Sequence, residues 1–262
     1  MTGTIAAEPK NASVIVTGAA RGLGAAIATR FLTDGYRVFG IDLDETALRE
    51  LADRHHGLDF HPVTGDASSE ILLTEVCAAA ADGAHHMHAF VANAGIGMVG
   101  DSLSYSVADW NRTVEVNVTA AFLGARLAVA RMSGPGSIVM MSSVSGHTGF
   151  GGRAAYSMTK AGIHGLVRSL AVEWAPRGIR VNAVSPGIVR TDLLDRMIAQ
   201  GVSSEERYLR RIPMGRLGAD TEIADAVHFL ASKRASYITG VVLPVDGGWV
   251  ADGLPAPGGD RS

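Results

Sequence analysis

Residues 13–24 read "SVIVTGAARGLG". The first six form a short β-branched run that ends at a glycine, the pattern of a buried strand. From Leu23 the apolar positions Leu23, Ile27 and Phe31 recur every four residues, so a helix follows, and Asp34-Gly35 is its stop signal. Outward from this unit the rhythm repeats. "YRVFGID" (36–42) is a strand and "DETALRELADRHH" (44–56) a helix. Further strand candidates lie near 58–63, 88–93, 137–142, 179–184 and 241–245, and helical patterns near 69–81, 105–131, 154–175 and 220–232. Strands alternating with helices predict an α/β fold: a doubly wound parallel sheet of about seven strands, right-handed crossovers, and helices on both faces. Such a sheet binds ligands beyond the carboxyl ends of its strands.

Composition narrows the function classes. The chain has 262 residues, 47% of them hydrophobic, which suits one sizeable domain and excludes a largely disordered chain. A formal net charge of -3 and the lack of any basic run offer no attraction to nucleic acid or to an anionic membrane. Cys77 is the single cysteine and reads as a small buried helix residue, suiting a reducing cytoplasm. Residues 1–11 form an N-terminal extension without the pattern of a signal peptide. No uninterrupted apolar segment is long enough to span a bilayer. The domain is expected over 12–250, followed by a Gly- and Pro-rich flexible tail, 251–262.

The turn "TGAARGLG" (17–24) brings Gly18, Gly22 and Gly24 to the start of the first helix. Glycine removes the Cβ that would hold a diphosphate off the backbone, and a helix N-terminus presents free N–H groups and a positive dipole end. The GxxxGxG spacing differs from GxGxxG, so its place between first strand and first helix carries the argument. Asp42 ends the second strand, where a carboxylate accepts hydrogen bonds from the adenosine ribose of a dinucleotide. It also repels the 2′-phosphate of NADP, so NAD is expected, although Arg21 points the other way. The plain alternative for Asp42 is a capping residue, a role that Asp44 could fill instead.

"YSMTK" (156–160) sets Tyr156 and Lys160 on one helix face, a pairing that alone is weak evidence. "ANAG" (92–95), "SSVSG" (142–146) and "SPGIVRT" (185–191) each follow a predicted strand, on the expected ligand edge. Together with "TGAARGLG" and the ending "ITGVVLPVDGG" (238–248), the set resembles the short-chain dehydrogenase/reductase family, with its Rossmann-like fold, over nearly the whole chain. The resemblance implies a catalytic set of Asn117, Ser143, Tyr156 and Lys160. Tyr156 would be the general acid/base, Lys160 the charge that stabilises its phenolate and a holder of the nicotinamide ribose, and Ser143 the partner of the substrate oxygen. Asn117 would interrupt the helix 105–131; without the resemblance it is an ordinary helix asparagine.

The same resemblance assigns cofactor contacts to Gly18, Arg21, Gly22, Leu23, Gly24, Asp42, Asp66, Ala67, Asn93, Ala94, Gly95, Pro186, Gly187, Val189 and Thr191. Asp66 could also be only a helix N-cap. Ala92 departs from the family's NNAG pattern, a change expected to weaken a sheet hydrogen bond. No metal is expected: the histidines at 55–56 and 85–88 lack HExxH and read as solvated, and "SSVSG" is not a GxSxG elbow.

Candidate pocket residues are Ile96, Met98, His147 and Phe150, with Leu194, Met197 and Tyr208 from a lid at 188–218. Their apolar character favours a hydrophobic or alicyclic secondary alcohol or ketone. A homotetramer packed through the helices 105–131 and 154–175 is what the resemblance implies. Two readings stand beside it: an NADP-dependent carbonyl reductase, and a non-catalytic nucleotide-sensing or scaffold protein on the same fold.

Overall fold

The computed structural model describes residues 11–83, 85–199, 201 and 204–253. Residues 1–10 of the extension (1–11), residues 254–262 of the tail (251–262) and the side chain of Met197 lie outside the described residues. Seven parallel strands are ordered β3-β2-β1-β4-β5-β6-β7. They are β1 (Ala12–Thr17), β2 (Arg37–Asp42), β3 (Phe60–Thr64), β4 (His86–Ala92), β5 (Gly136–Met141), β6 (Ile179–Pro186) and β7 (Val242–Val245).

The reason lies in "SVIVT". Val14 and Val16 point to one face, where α1 (Gly22–Thr33), α2 (Glu45–Arg54) and α8 (Asp220–Ala231) bury Ile27, Phe31, Leu48 and Val227. Ile15 points to the other, covered by α3 (Glu70–Ala80), α5 (Ala120–Arg131) and α6 (Ala154–Trp174). A strand buried on both faces needs an unbroken apolar run, because successive side chains face opposite layers.

Local signals end the elements where expected. α1 stops at Thr33, Gly35 takes φ +83°, and the N–H groups of Gly35 and Tyr36 donate to the carbonyls of Leu32 and Phe31. Asp44, not Asp42, caps α2, its Oδ1 accepting from the Ala47 N–H at 3.0 Å. Ser69, not Asp66, caps α3. Cys77 is buried on α3, and burial pushes its thiol up to about 12.

The expected helix 105–131 is not regular. It runs as α4 (Val107–Val114), a π turn (Glu115–Thr119) and α5. It runs for 25 residues and contains an 18-residue stretch of mean hydropathy 1.3, long and apolar enough to cross a membrane by length and composition alone, yet charged residues interrupt it and 44% of that stretch is buried within the fold. Part of its apolarity belongs to the face that packs on the sheet, with Ala121, Ala125 and Ala128 buried. A second difference is His88, expected in solvent: it is buried on β4, its ring 5.2 Å from that of Tyr36.

Strand order reverses between β1 and β4, which opens a crevice at their carboxyl ends. The glycine turn, Asp42, Asp66, "ANAG", Ser143 and Pro186-Gly187 all follow strands at this edge.

Candidate active site

The glycine turn is shaped for a diphosphate. Gly18 has φ +67°, and a Cβ there would lie 2.9 Å from the Cα of Ala94. A Cβ on Gly24 would fall 1.8 Å from the Gly18 carbonyl oxygen, so only glycine lets α1 start against the turn. At Gly22, φ +51°, the space is open. Arg21 stands at the N-cap without a side-chain capping bond, and no acidic residue occupies the first turn. The helix therefore offers unsatisfied N–H groups and positive dipole to an anion.

Asp42 is fixed beside this turn. Its Oδ2 accepts from the Ala20 N–H at 2.9 Å and its Oδ1 from the Asp44 N–H at 3.1 Å, which leaves lone pairs for ribose hydroxyls. Arg21 is turned to Asp44, with contacts of 2.9 and 3.0 Å to one carboxylate oxygen. The Ala47 N–H and Arg21 together hold the Asp44 carboxyl below its ordinary range.

Farther along the edge, Asp66 accepts at Oδ1 from the Ser68 N–H and hydroxyl and at Oδ2 from Arg112 at 3.1 Å, which hold its carboxyl low. Ala67 follows in the same turn. The departure at Ala92 is made good by its neighbours: Asn93 Nδ2 donates to the carbonyls of Thr17 and Gly18, and the Thr17 hydroxyl accepts from the N–H groups of Asn93 and Ala94. These residues fit a dinucleotide. Leu23 lies on α1 just behind the turn.

Beyond β6, Gly187 packs where a Cβ would reach 2.7 Å from the Cα of Asp246. Val189 bridges to Gly218 through the Arg190 N–H and the Ile188 carbonyl, leaving its own peptide groups out of that pairing. The Thr191 hydroxyl accepts from the Leu194 N–H at 3.3 Å, capping α7 (Asp192–Ala199), with its proton still available to donate.

The four expected catalytic side chains converge. Asn117 sits in the π turn, its Oδ1 accepting from the Ile96 N–H at 2.8 Å and its Nδ2 donating to the Ile96 carbonyl at 2.9 Å and the Thr159 hydroxyl at 3.1 Å. Thr159 in turn donates to the Tyr156 carbonyl at 2.8 Å. Thr159 was missed in the sequence, although its place inside "YSMTK" was a signal. Gly95 is close-packed here, since a Cβ would come within 3.2 Å of Asn117 Oδ1 and 3.4 Å of Lys160 Nζ.

Lys160 is buried, its Nζ donating to the Met141 carbonyl at 2.8 Å and lying 5.6 Å from the centre of the Tyr156 ring. Burial pushes the Tyr156 phenol up, opposed by the neighbouring Ser143 hydroxyl and by the charge of Arg153.

Burial pulls the Lys160 ammonium from 10.5 down to about 8. Holding it charged at neutral pH costs roughly 3 kcal/mol. The unfolded chain binds the extra proton between pH 8 and 10.5, so the cost is complete below 8 and gone above 10.5. Lys160→Met leaves the Met141 carbonyl unpaired, which offsets about 1–2 kcal/mol. We expect this variant to melt a few degrees higher at pH 7 and to lose the advantage by pH 10. Calorimetry checks this, and a difference constant across pH would refute it.

The candidate pocket is walled by a third apolar cluster: Val144, Leu194, Ile212, Leu217 and Trp249, with Phe150 and Tyr208 packed against it. Phe150 stacks on Trp249 with ring centres 5.7 Å apart. Trp249 was missed, since only its place after "VDGG" marked it. Met98 is exposed, and Ile96 enters through its backbone. His147 lies beside His164, ring centres 4.4 Å apart, and burial lowers its pKa.

The chain is similar to known proteins over most of its length. A family model described as enoyl-(acyl carrier protein) reductase matches residues 18–250. An uncharacterized short-chain type dehydrogenase/reductase of Sinorhizobium fredii is 37% identical over 94% of the chain, which spans 44% of that longer protein. A 3beta-hydroxysteroid dehydrogenase of Eggerthella lenta is 37% identical, with 91% of this chain and 94% of that one covered. A crystal structure of a putative NAD(P) dependent gluconate 5-dehydrogenase from Beutenbergia cavernae, with bound NADP at low occupancy, superposes with TM-score 0.83 at 33% identity, covering 91% of this chain and 96% of that one.

Proposed function

We propose that this chain, which belongs to the short-chain dehydrogenase/reductase family, transfers a hydride between NAD(H) and a hydrophobic or alicyclic secondary alcohol or ketone. The observation that carries the reading is the meeting of Asn117, Ser143, Tyr156 and Lys160 at the same sheet edge as the glycine turn and Asp42.

When bound, the nicotinamide supplies the hydride acceptor or donor. The chain supplies the proton and the geometry. In alcohol oxidation the Tyr156 oxygen takes the substrate hydroxyl proton, and in ketone reduction it returns one. Ser143 hydrogen-bonds the substrate oxygen and bears its developing charge. Lys160 offsets the negative charge on Tyr156, and Asn117, through Thr159 and Ile96, fixes the turns around both.

The NAD preference is supported by Asp42 on the turn and by Arg21 being engaged with Asp44. An NADP-dependent carbonyl reductase is the second reading, favoured by the proximity of Arg21 and by a neighbour crystallised with NADP. The apolar wall of Val144, Leu194 and Trp249 and the likeness to a hydroxysteroid dehydrogenase support an alicyclic substrate. Exposed Val107, Phe122 and Val172 on α4, α5 and α6 support a homotetramer packed through these helices, which we place in the cytoplasm.

The test follows NADH formation across cyclic, aryl and aliphatic secondary alcohols, with NADP in parallel. Turnover of cyclic alcohols with NAD is the expected result. Activity confined to NADP would install the second reading, and none with either would favour a binding protein.

A further inference from the structure

Tyr156, Lys160 and His164 are spaced by four on α6, and only the first two have a role so far. The His164 Nε2 lies 2.7 Å from the Ser142 hydroxyl, which donates to the Lys160 carbonyl at 3.0 Å. With its own proton committed to that carbonyl, Ser142 accepts from an Nε2–H of His164. Five residues on, the His147 ring packs against the same imidazole, with centres 4.4 Å apart. Between these two contacts lie Ser143 and the turn Val144–Gly146. Gly146 completes the seat: a Cβ there would stand 2.9 Å from His164 Nε2 and from the Lys160 carbonyl.

We propose that His164 is a positioning residue for Ser143, pinning the segment 142–147 to α6 at both of its ends. The inference rests on the role of Ser143 given above. One ring sets the strand end before Ser143 and the turn after it, so the distance from Ser143 to Tyr156 is held by the helix that carries Tyr156. Burial first, then the charges of His147 and Arg168, bring the His164 ring down to about 4, so it stays neutral in the working range. A charged ring here would press on a buried Lys160, and neutrality lets the clamp persist.

The readout is the ionisation of Tyr156, followed in the ultraviolet with saturating NAD as the difference between each protein and its Tyr156→Phe counterpart. His164→Phe keeps a ring against His147 and loses the donor to Ser142. It is expected to raise the Tyr156 midpoint as far as Ser143→Ala does, with no further rise in the double variant. On a substrate that is turned over, kcat falls about 10-fold while KM for NAD holds. His164→Gln, which returns a donor near the Nε2 position, restores most of both. Should His164→Phe fold poorly, Ser142→Ala removes the same bond with little volume change and carries the same expectation.

An unchanged Tyr156 midpoint in both variants overturns the proposal. So do effects of His164→Phe and Ser143→Ala that simply add. The ionisation needs no turnover, so failure of every alcohol would sink the proposed function and leave this result to stand or fall separately.

Discussion

Tyr156→Phe is expected to lower kcat by roughly 10³-fold while leaving KM for NAD within about 2-fold. The substitution removes one oxygen, the one whose ionisation the Ser143 hydroxyl favours, and keeps the ring that Gly97 approaches to 3.3 Å through its would-be Cβ. Lys160 keeps its bond to the Met141 carbonyl, so the cofactor end of the site is undisturbed. Burial already opposes the phenolate, so removing the hydroxyl leaves no buried charge behind and the melting temperature holds. Loss in kcat alone marks an interaction made in the transition state, whereas a rise in KM alone would mark binding. A variant retaining more than about a tenth of wild-type kcat would move the proton-transfer role away from Tyr156.

The part of the site that could be read in the sequence is the part fixed by backbone and local spacing. "SVIVTGAARGLG" specifies strand, turn and helix through β-branching, glycine conformation and the four-residue apolar repeat, so the dinucleotide end was legible. "YSMTK" was legible because a helix turns i, i+4 spacing into one face.

What depends on tertiary contact was not. The π turn at Glu115–Thr119 lies where the resemblance expects Asn117 to interrupt the helix, but it exists because Asn117 bonds Ile96 and Thr159, residues 21 and 42 positions away, and no local propensity encodes it. His88 was read as solvated from the polarity of "HHMH", although β4 is an interior strand whose alternation buries that side chain. The raised Tyr156 phenol follows from its burial, which the local pattern "YSMTK" does not encode.

Cofactor choice offers the second large effect. On the proposed reading, wild type is expected to use NAD with kcat/KM about 10²-fold above that for NADP, because a carboxylate at the end of the second strand would repel a 2′-phosphate on the adenosine ribose. The two backbone hydrogen bonds of Asp42 prevent it from swinging aside. Asp42→Asn keeps the shape and removes the charge; after solvent screening, that repulsion is worth a factor of about 30 in use of NADP.

Asp44 is the second lock, since it draws the Arg21 guanidinium to itself at 2.9 Å. Asp44→Asn releases Arg21 to meet a phosphate, and asparagine caps α2 as well as aspartate does, so the fold is spared. The double variant is therefore expected to reverse the preference, favouring NADP by about 10-fold or more. Initial rates with each cofactor on one alcohol decide the matter. If wild type already prefers NADP, Arg21 outweighs Asp42 and the locks are misassigned. If the double variant loses NAD without gaining NADP, Asp42 holds the ribose but Arg21 does not reach the phosphate.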